Sequence, residues 1–113
     1  MKRRTIDPAI APETSEESLC RALLALDTVP DMRAFLRDLC TPAEREALMD
    51  RWRVVPHLLD GVPYRDIHER TGVSITTIGR VARFLNEGNG GYQKALKATQ
   101  PRRRATRKTG TKT

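Results

Sequence analysis

The chain has 113 residues, 38% apolar and 31% charged, with a formal net charge of +7; that length holds one modest core and excludes a large multidomain enzyme. No apolar run approaches the roughly 20 residues a bilayer crossing needs, and Met1-Lys2-Arg3-Arg4 is not followed by the apolar stretch of a secretory signal. The expectation is a soluble cytoplasmic protein, with no membrane partner, in which Cys20 and Cys40 stay reduced.

Residues 1–14, with Pro8 and Pro12 and little apolar periodicity, read as a flexible arm. Ser15-Glu16-Glu17 reads as a helix start, a hydroxyl cap followed by carboxylates that suit the positive end of the helix dipole, and Leu19, Leu23 and Leu26 follow at helical spacing. Val29-Pro30 is expected to break this helix, and Asp31 to cap a short second one with Phe35, Leu36 and Leu39 on its apolar face. Thr41-Pro42-Ala43-Glu44 is the clearest punctuation: a threonine cap, proline where no amide donor is missed, and a glutamate placed to reach back. The third helix then carries Ala47, Leu48, Trp52, Val55, Leu58 and Leu59, with Trp52 expected as a core anchor before the alternative of a place near a dimer seam, and stops at Gly61 and Pro63. Pro56 removes a backbone bond, which predicts a kink near Arg53 within one helix.

Tyr64–Thr71 reads as a helix of two turns, Gly72 as a sharp turn, and Ser74 as the cap of a longer helix. That helix turns Ile75, Ile78, Val81, Ala82 and Leu85 inward and Thr76, Thr77, Gly79, Arg80 and Arg83 to its other faces. The glycines at 88, 90 and 91 forbid continuation, Tyr92 to about Ala98 reads as a weak last turn, and Tyr92 is expected to pack the glycine-rich turn against the body. Residues 99–113 read as a disordered basic tail. From Lys94 onward there are eight basic residues and no acid, so residues 1–93 hold 13 basic and 14 acidic groups, a formal charge of −1. A polyanion partner is implied by the tail, not by the bulk charge of the body. The fold class is all-α, in one domain over residues 15–98.

The order of residues 64–85, short helix, glycine turn, longer helix, is that of a helix-turn-helix. Ile67, Val73, Ile78 and Val81 would clamp the two helices so that the second enters a major groove. His68 stands where many such motifs have alanine, which leaves either a wider crossing or an outward His68. The candidate DNA-binding residues are Arg65, Ser74, Ile75, Thr76, Thr77, Gly79 and Arg83. Hydroxyls at the helix start suit phosphate or base edges, the methyls of Ile75 and the threonines suit thymine, and the arginines suit phosphate. For each arginine taken alone, a solvated charge or a pair with a nearby acid is the competing reading. The competing function is a helix-turn-helix used for protein–protein interaction, with the tail as a non-specific nucleic-acid-binding anchor. Nothing points to an enzyme: His57, His68, Cys20 and Cys40 lack metal-ligand spacing, so no metal site is expected, and Gly88 to Gly91 lacks the lysine and threonine of a phosphate-cradling loop.

Thr41 to Leu48, then Arg51, Arg53 and Leu58-Leu59-Asp60-Gly61, then Gly72 to Arg80, together resemble the tryptophan repressor family. Tyr64-Arg65-Asp66-Ile67 and Leu85 to Tyr92 look more like its YerC/YecD branch, and the likeness spans roughly residues 17–97. The resemblance implies an intertwined homodimer whose paired readers lie about one DNA turn apart on a palindromic operator, and so a sequence-specific transcriptional regulator, a repressor. It also implies a ligand pocket at Thr41, Arg51 and Arg80. The chain departs from the tryptophan-responsive pattern at Val81, where the repressor has glycine, and at Phe84, where it has a small polar residue. Both side chains are expected to fill the indole space. No cofactor is expected; a co-repressor such as L-tryptophan stays open, as do DNA phosphate, a pair with Asp50 or another anion for Arg51 and Arg80.

Overall fold

The computed structural model describes residues 12–100. The expected basic tail beyond Gln100 and the expected arm up to residue 11 lie outside the described residues. Within them the chain is all-helical and has no strand: α1 (Pro12–Ala25), α2 (Val29–Leu39), α3 (Pro42–Arg53), α4 (Val55–Leu59), α5 (Tyr64–Thr71), α6 (Ile75–Glu87) and α7 (Gly91–Thr99). Two compact units divide after Arg45.

In the first unit, α1 begins at Pro12, ahead of the expected Ser15 start. Proline presets the backbone angle of a first helical turn, and Glu13 then sits in that turn. The cap of α2 is Thr28, not Asp31: the Thr28 hydroxyl accepts from the Asp31 amide at 3.2 Å. Pro30 therefore opens this helix instead of breaking the one before it, since a missing N–H costs nothing in a first turn. No residue of α2 is buried. Leu24 is 84% exposed and Val29 68%.

The start of α3 has the expected reciprocal cap. The Glu44 amide donates to the Thr41 hydroxyl at 3.1 Å and the Thr41 amide to the Glu44 carboxylate at 2.8 Å. Thr41→Ala is expected to cost about 0.5–2 kcal/mol, the usual range for losing such a cap, read as a lowered urea midpoint with an unchanged slope.

The second unit holds the core. Val54, Val55, Ile67, Ile78 and Val81 are fully buried and Val73 nearly so, with Leu58, Val62, Leu85, Tyr92 and Leu96 packed against them. Two expectations for α3 do not hold. Instead of one kinked helix, the ladder breaks at Val54 and restarts with the Leu58 amide donating to the Val54 carbonyl at 3.0 Å. Pro56 cannot donate to the carbonyl four residues back, and its ring crowds that carbonyl, so continuation is lost. Trp52 is no core anchor and is 39% exposed. The inward stripe is Ala47, Asp50, Arg51, Val54 and Val55, one position round from the expected Leu48 and Trp52.

The last helix is more than a weak turn. Gly90, at φ +79, reverses the chain in a conformation other residues resist, and α7 then runs nine residues. Tyr92 packs on the core as expected, and the Gln93 side-chain amide donates to the Leu85 carbonyl at 2.7 Å, tying α7 to α6.

Candidate nucleic-acid interface

The α5–α6 pair is built from local chemistry on either side of Gly72. Gly72 adopts φ +78, the left-handed conformation that stops α5 and turns the chain, and its amide donates to the His68 carbonyl at 2.8 Å. The Thr71 hydroxyl donates to the Ile67 carbonyl at 2.7 Å and accepts from the Val73 amide at 3.1 Å. His68 is exposed, so the outward alternative holds, and its Nδ1 donates to the Val73 carbonyl at 2.8 Å. Beside these bonds, Ile67, Val73, Ile78 and Val81 are all buried together, as their spacing implied. The result is a two-helix unit whose turn has little freedom.

The candidate contact residues fall as follows. Ser74 is the cap of α6: its hydroxyl accepts from the Thr77 amide at 3.1 Å and donates to the Thr77 hydroxyl at 3.0 Å. Ser74 therefore spends its own proton inside the protein, and the hydroxyls of Thr76 and Thr77 are the donors left at this end. Ile75, expected inside on periodicity, is 48% exposed, which suits its other assigned part as an outward apolar contact. Its place in the first turn, ahead of the buried Ile78, explains the difference. Arg65, Thr76 and Arg83 are exposed, and Thr77 and Gly79 are half-buried. Arg83 pairs with Glu87 at 3.5 Å, an exposed pair of little strength that an anion can displace. A methyl group built on Gly79 would meet Tyr64 Cε2 at 4.0 Å, an ordinary contact. Packing within the chain therefore does not require glycine there.

Arg51 and Arg80 come together in one cavity of about 370 Å³ in the second unit, lined also by Phe84, Gly88, Asn89, Gly91 and Tyr92. Asp50 does not pair with either: it holds Arg53 at 3.6 Å, and among the described residues no carboxylate forms an ion pair with Arg51 or Arg80. The Arg80 guanidinium lies over the Phe84 ring, 5.0 Å from its centroid, and Arg83 lies 5.9 Å from the same ring. Phe84 lines this cavity, whereas Val81 does not line it and is buried in the core. Thr41 lies in the first unit, its hydroxyl spent on the cap of α3. Asn89 was not singled out from the sequence, and the only signal for it was its place among the glycines. Thr71 and His68 as locks of the turn were also missed; a hydroxyl and a ring nitrogen flanking Gly72 were the available signal.

A family model described as Trp repressor protein matches residues 15–100. An uncharacterized protein, YerC, of Bacillus subtilis (strain 168) is 39% identical over 80 residues, covering 71% of this chain and 77% of that protein. A Trp operon repressor homolog of Xylella fastidiosa (strain M23) is 36% identical over 78 residues, covering 68% of this chain and 85% of the relative.

Proposed function

The chain belongs to the Trp repressor family, and from that premise we propose that it is a cytoplasmic, sequence-specific transcriptional repressor that reads a palindromic operator as a homodimer. The observation that carries the reading is the α5–α6 unit, whose inner face is fully buried and whose outer edge presents Ile75, Thr76 and Arg83 to solvent. A rigid helix with short hydroxyl and methyl groups near its start fits the floor of a major groove, and Arg65 and Arg83 suit the flanking phosphates. Thr77 and Gly79 belong to the same edge. Gly79 supports the reading from a different direction, because a glycine that internal packing does not need suits the close approach of an outside surface. Dimerisation is supported by the exposed leucines and valine of α1 and α2, which a second protomer would cover.

Selection of bound duplexes from a random pool tests this. The expected result is a palindrome preferred over random DNA by a factor of about 10³ or more, unchanged by added L-tryptophan; equal capture of every duplex, or a monomer in sedimentation, overturns it. Gly79→Ala gives a sharper check. It is expected to raise stability by about 0.5–1 kcal/mol, because alanine is the better helix former, while weakening palindrome binding about tenfold or more. A variant that is more stable and binds as well as the parent would remove Gly79 from the interface.

A further inference from the structure

We propose that Tyr64 determines part of the sequence specificity: with Gly79 it forms a notch, shared between α5 and α6, that takes the 5-methyl group of one thymine in each half of the operator. This inference deepens the reading of α6 as the helix that meets DNA and rests on it. Tyr64 is the first residue of α5 and is exposed. Periodicity along α6 does not reveal it, because the notch has walls on two helices.

The geometry starts from Gly79, which leaves the surface of α6 one side chain short. A methyl group built there would meet Tyr64 Cε2 at 4.0 Å and, its chain neighbours and the α6 backbone apart, no other atom of the described residues within 4 Å. The space over Gly79 is therefore open, with an aromatic edge as one wall, and it holds one methyl group at an ordinary contact distance. Ile75 stands one turn earlier on the same stripe of α6 and is half exposed. Tyr64 also lines an apolar cavity with Ala82 and Asn86, which lie three and seven residues beyond Gly79. Its ring thus lies along the stripe that begins at Ile75.

Chemistry chooses the occupant. Among the groups that base edges offer in a major groove, the thymine 5-methyl is the apolar one, and the others are hydrogen-bond donors and acceptors. An aromatic edge, an isoleucine and a bare glycine give that methyl apolar contact on leaving water. The surroundings favour DNA as its source: from Ile75 to Asn86, α6 carries Arg80 and Arg83 and no acid, and Arg65 follows Tyr64 on α5, so a polyanion meets a basic rim. The Tyr64 hydroxyl forms no hydrogen bond among the described residues, which leaves it for a phosphate beside the notch.

Uracil substitution tests the notch, because it removes the methyl and nothing else. The palindrome recovered by selection is made with each thymine in turn replaced by uracil, and each duplex is titrated with the full chain. The expected result is a position in each half at which the thymine duplex binds about fourfold or more tighter than the uracil duplex. In Gly79→Ala, whose added methyl occupies the notch, and in Tyr64→Ala, which removes its wall, that ratio is expected to fall to about one. Tyr64→Phe keeps the ring, so the ratio should stand while affinity for both duplexes falls alike by about two- to tenfold as the phosphate bond is lost. Urea denaturation shows that the variants remain folded, and the uracil comparison within the parent needs no variant. A parent indifferent to uracil at every thymine overturns the notch, as does a ratio that survives both alanine variants. A ratio lost in Tyr64→Phe moves the reading to the hydroxyl and overturns it too. Selection that yields no palindrome sinks the regulator reading and the notch with it, whereas a palindrome without a methyl-dependent position sinks the notch alone.

Discussion

Ile78→Ala is expected to cost about 2–5 kcal/mol of stability and to abolish selective DNA binding in the same step. Ile78 is fully buried, and the fully buried side chains of the described chain are few: beside it only Val54, Val55, Ile67, Val73 and Val81. Each therefore carries a large share of a total that is about 5–15 kcal/mol in ordinary domains. Ile78 also lies next to the half-buried Thr77 on α6, so its loss opens a void behind the surface proposed to meet DNA. Small β-branched neighbours such as Val73 and Val81 fill such a void poorly. Ile75→Ala, made one turn earlier on the same helix, is the control. Ile75 is half exposed, and its truncation should change stability by no more than about 0.5 kcal/mol while still weakening palindrome binding. Urea denaturation of both variants checks the pair. Equal stability losses would mean that α6 is turned differently from the arrangement described, and the assignment of its outer edge would go with it.

Cutting the chain after Gln100 is expected to reduce affinity for every duplex about a hundredfold or more at low salt and to leave the ratio of palindrome to random DNA unchanged. The cut removes Arg102, Arg103, Arg104, Arg107, Lys108 and Lys112, six basic groups and no acid, lowering the formal charge from +7 to +1. For every phosphate that the tail no longer neutralises, the slope of log affinity against log salt should become shallower by about 0.9. α7 stays whole, since Thr99, whose hydroxyl donates to the Ala95 carbonyl at 3.0 Å, is retained. Charge attracts any polyanion, whereas discrimination needs groups fixed against base edges. Titration of both chains with a palindromic and a scrambled duplex at several salt concentrations separates the two contributions. Selectivity that vanishes with the tail would favour the competing interaction-module reading, in which α5 and α6 meet protein and the tail alone meets nucleic acid.

Much of the fold was legible because its punctuation is short-range. The Thr41–Glu44 box, the Gly72 turn and the Ser74 cap each involve groups three or four residues apart, and all three are present as their residue types imply. The same logic misplaced the cap of α2. Thr28 and Asp31 are both good caps, and only the finding that Pro30 lies inside the first turn separates them. At the candidate site, the buried set Ile67, Val73, Ile78 and Val81 followed from spacing, and so did the outward Thr76 and Arg83.

The amino-acid sequence by itself thus determined an all-helical chain, the start of α3 at Thr41 and the two helices joined at Gly72, since these depend on backbone donors, acceptors and angles within a few residues. Only the tertiary structure decided which way each helix is rotated and which side chains meet. The break at Val54 buries Val54 and Val55 and leaves Trp52 outside, a choice that periodicity around an unbroken helix cannot reveal. Asp50 turns to Arg53, and Arg51 and Arg80 meet in one cavity beside Phe84 and Tyr92. Contacts between residues so far apart in the chain are set by how whole helices pack, and packing is a property of several apolar faces at once.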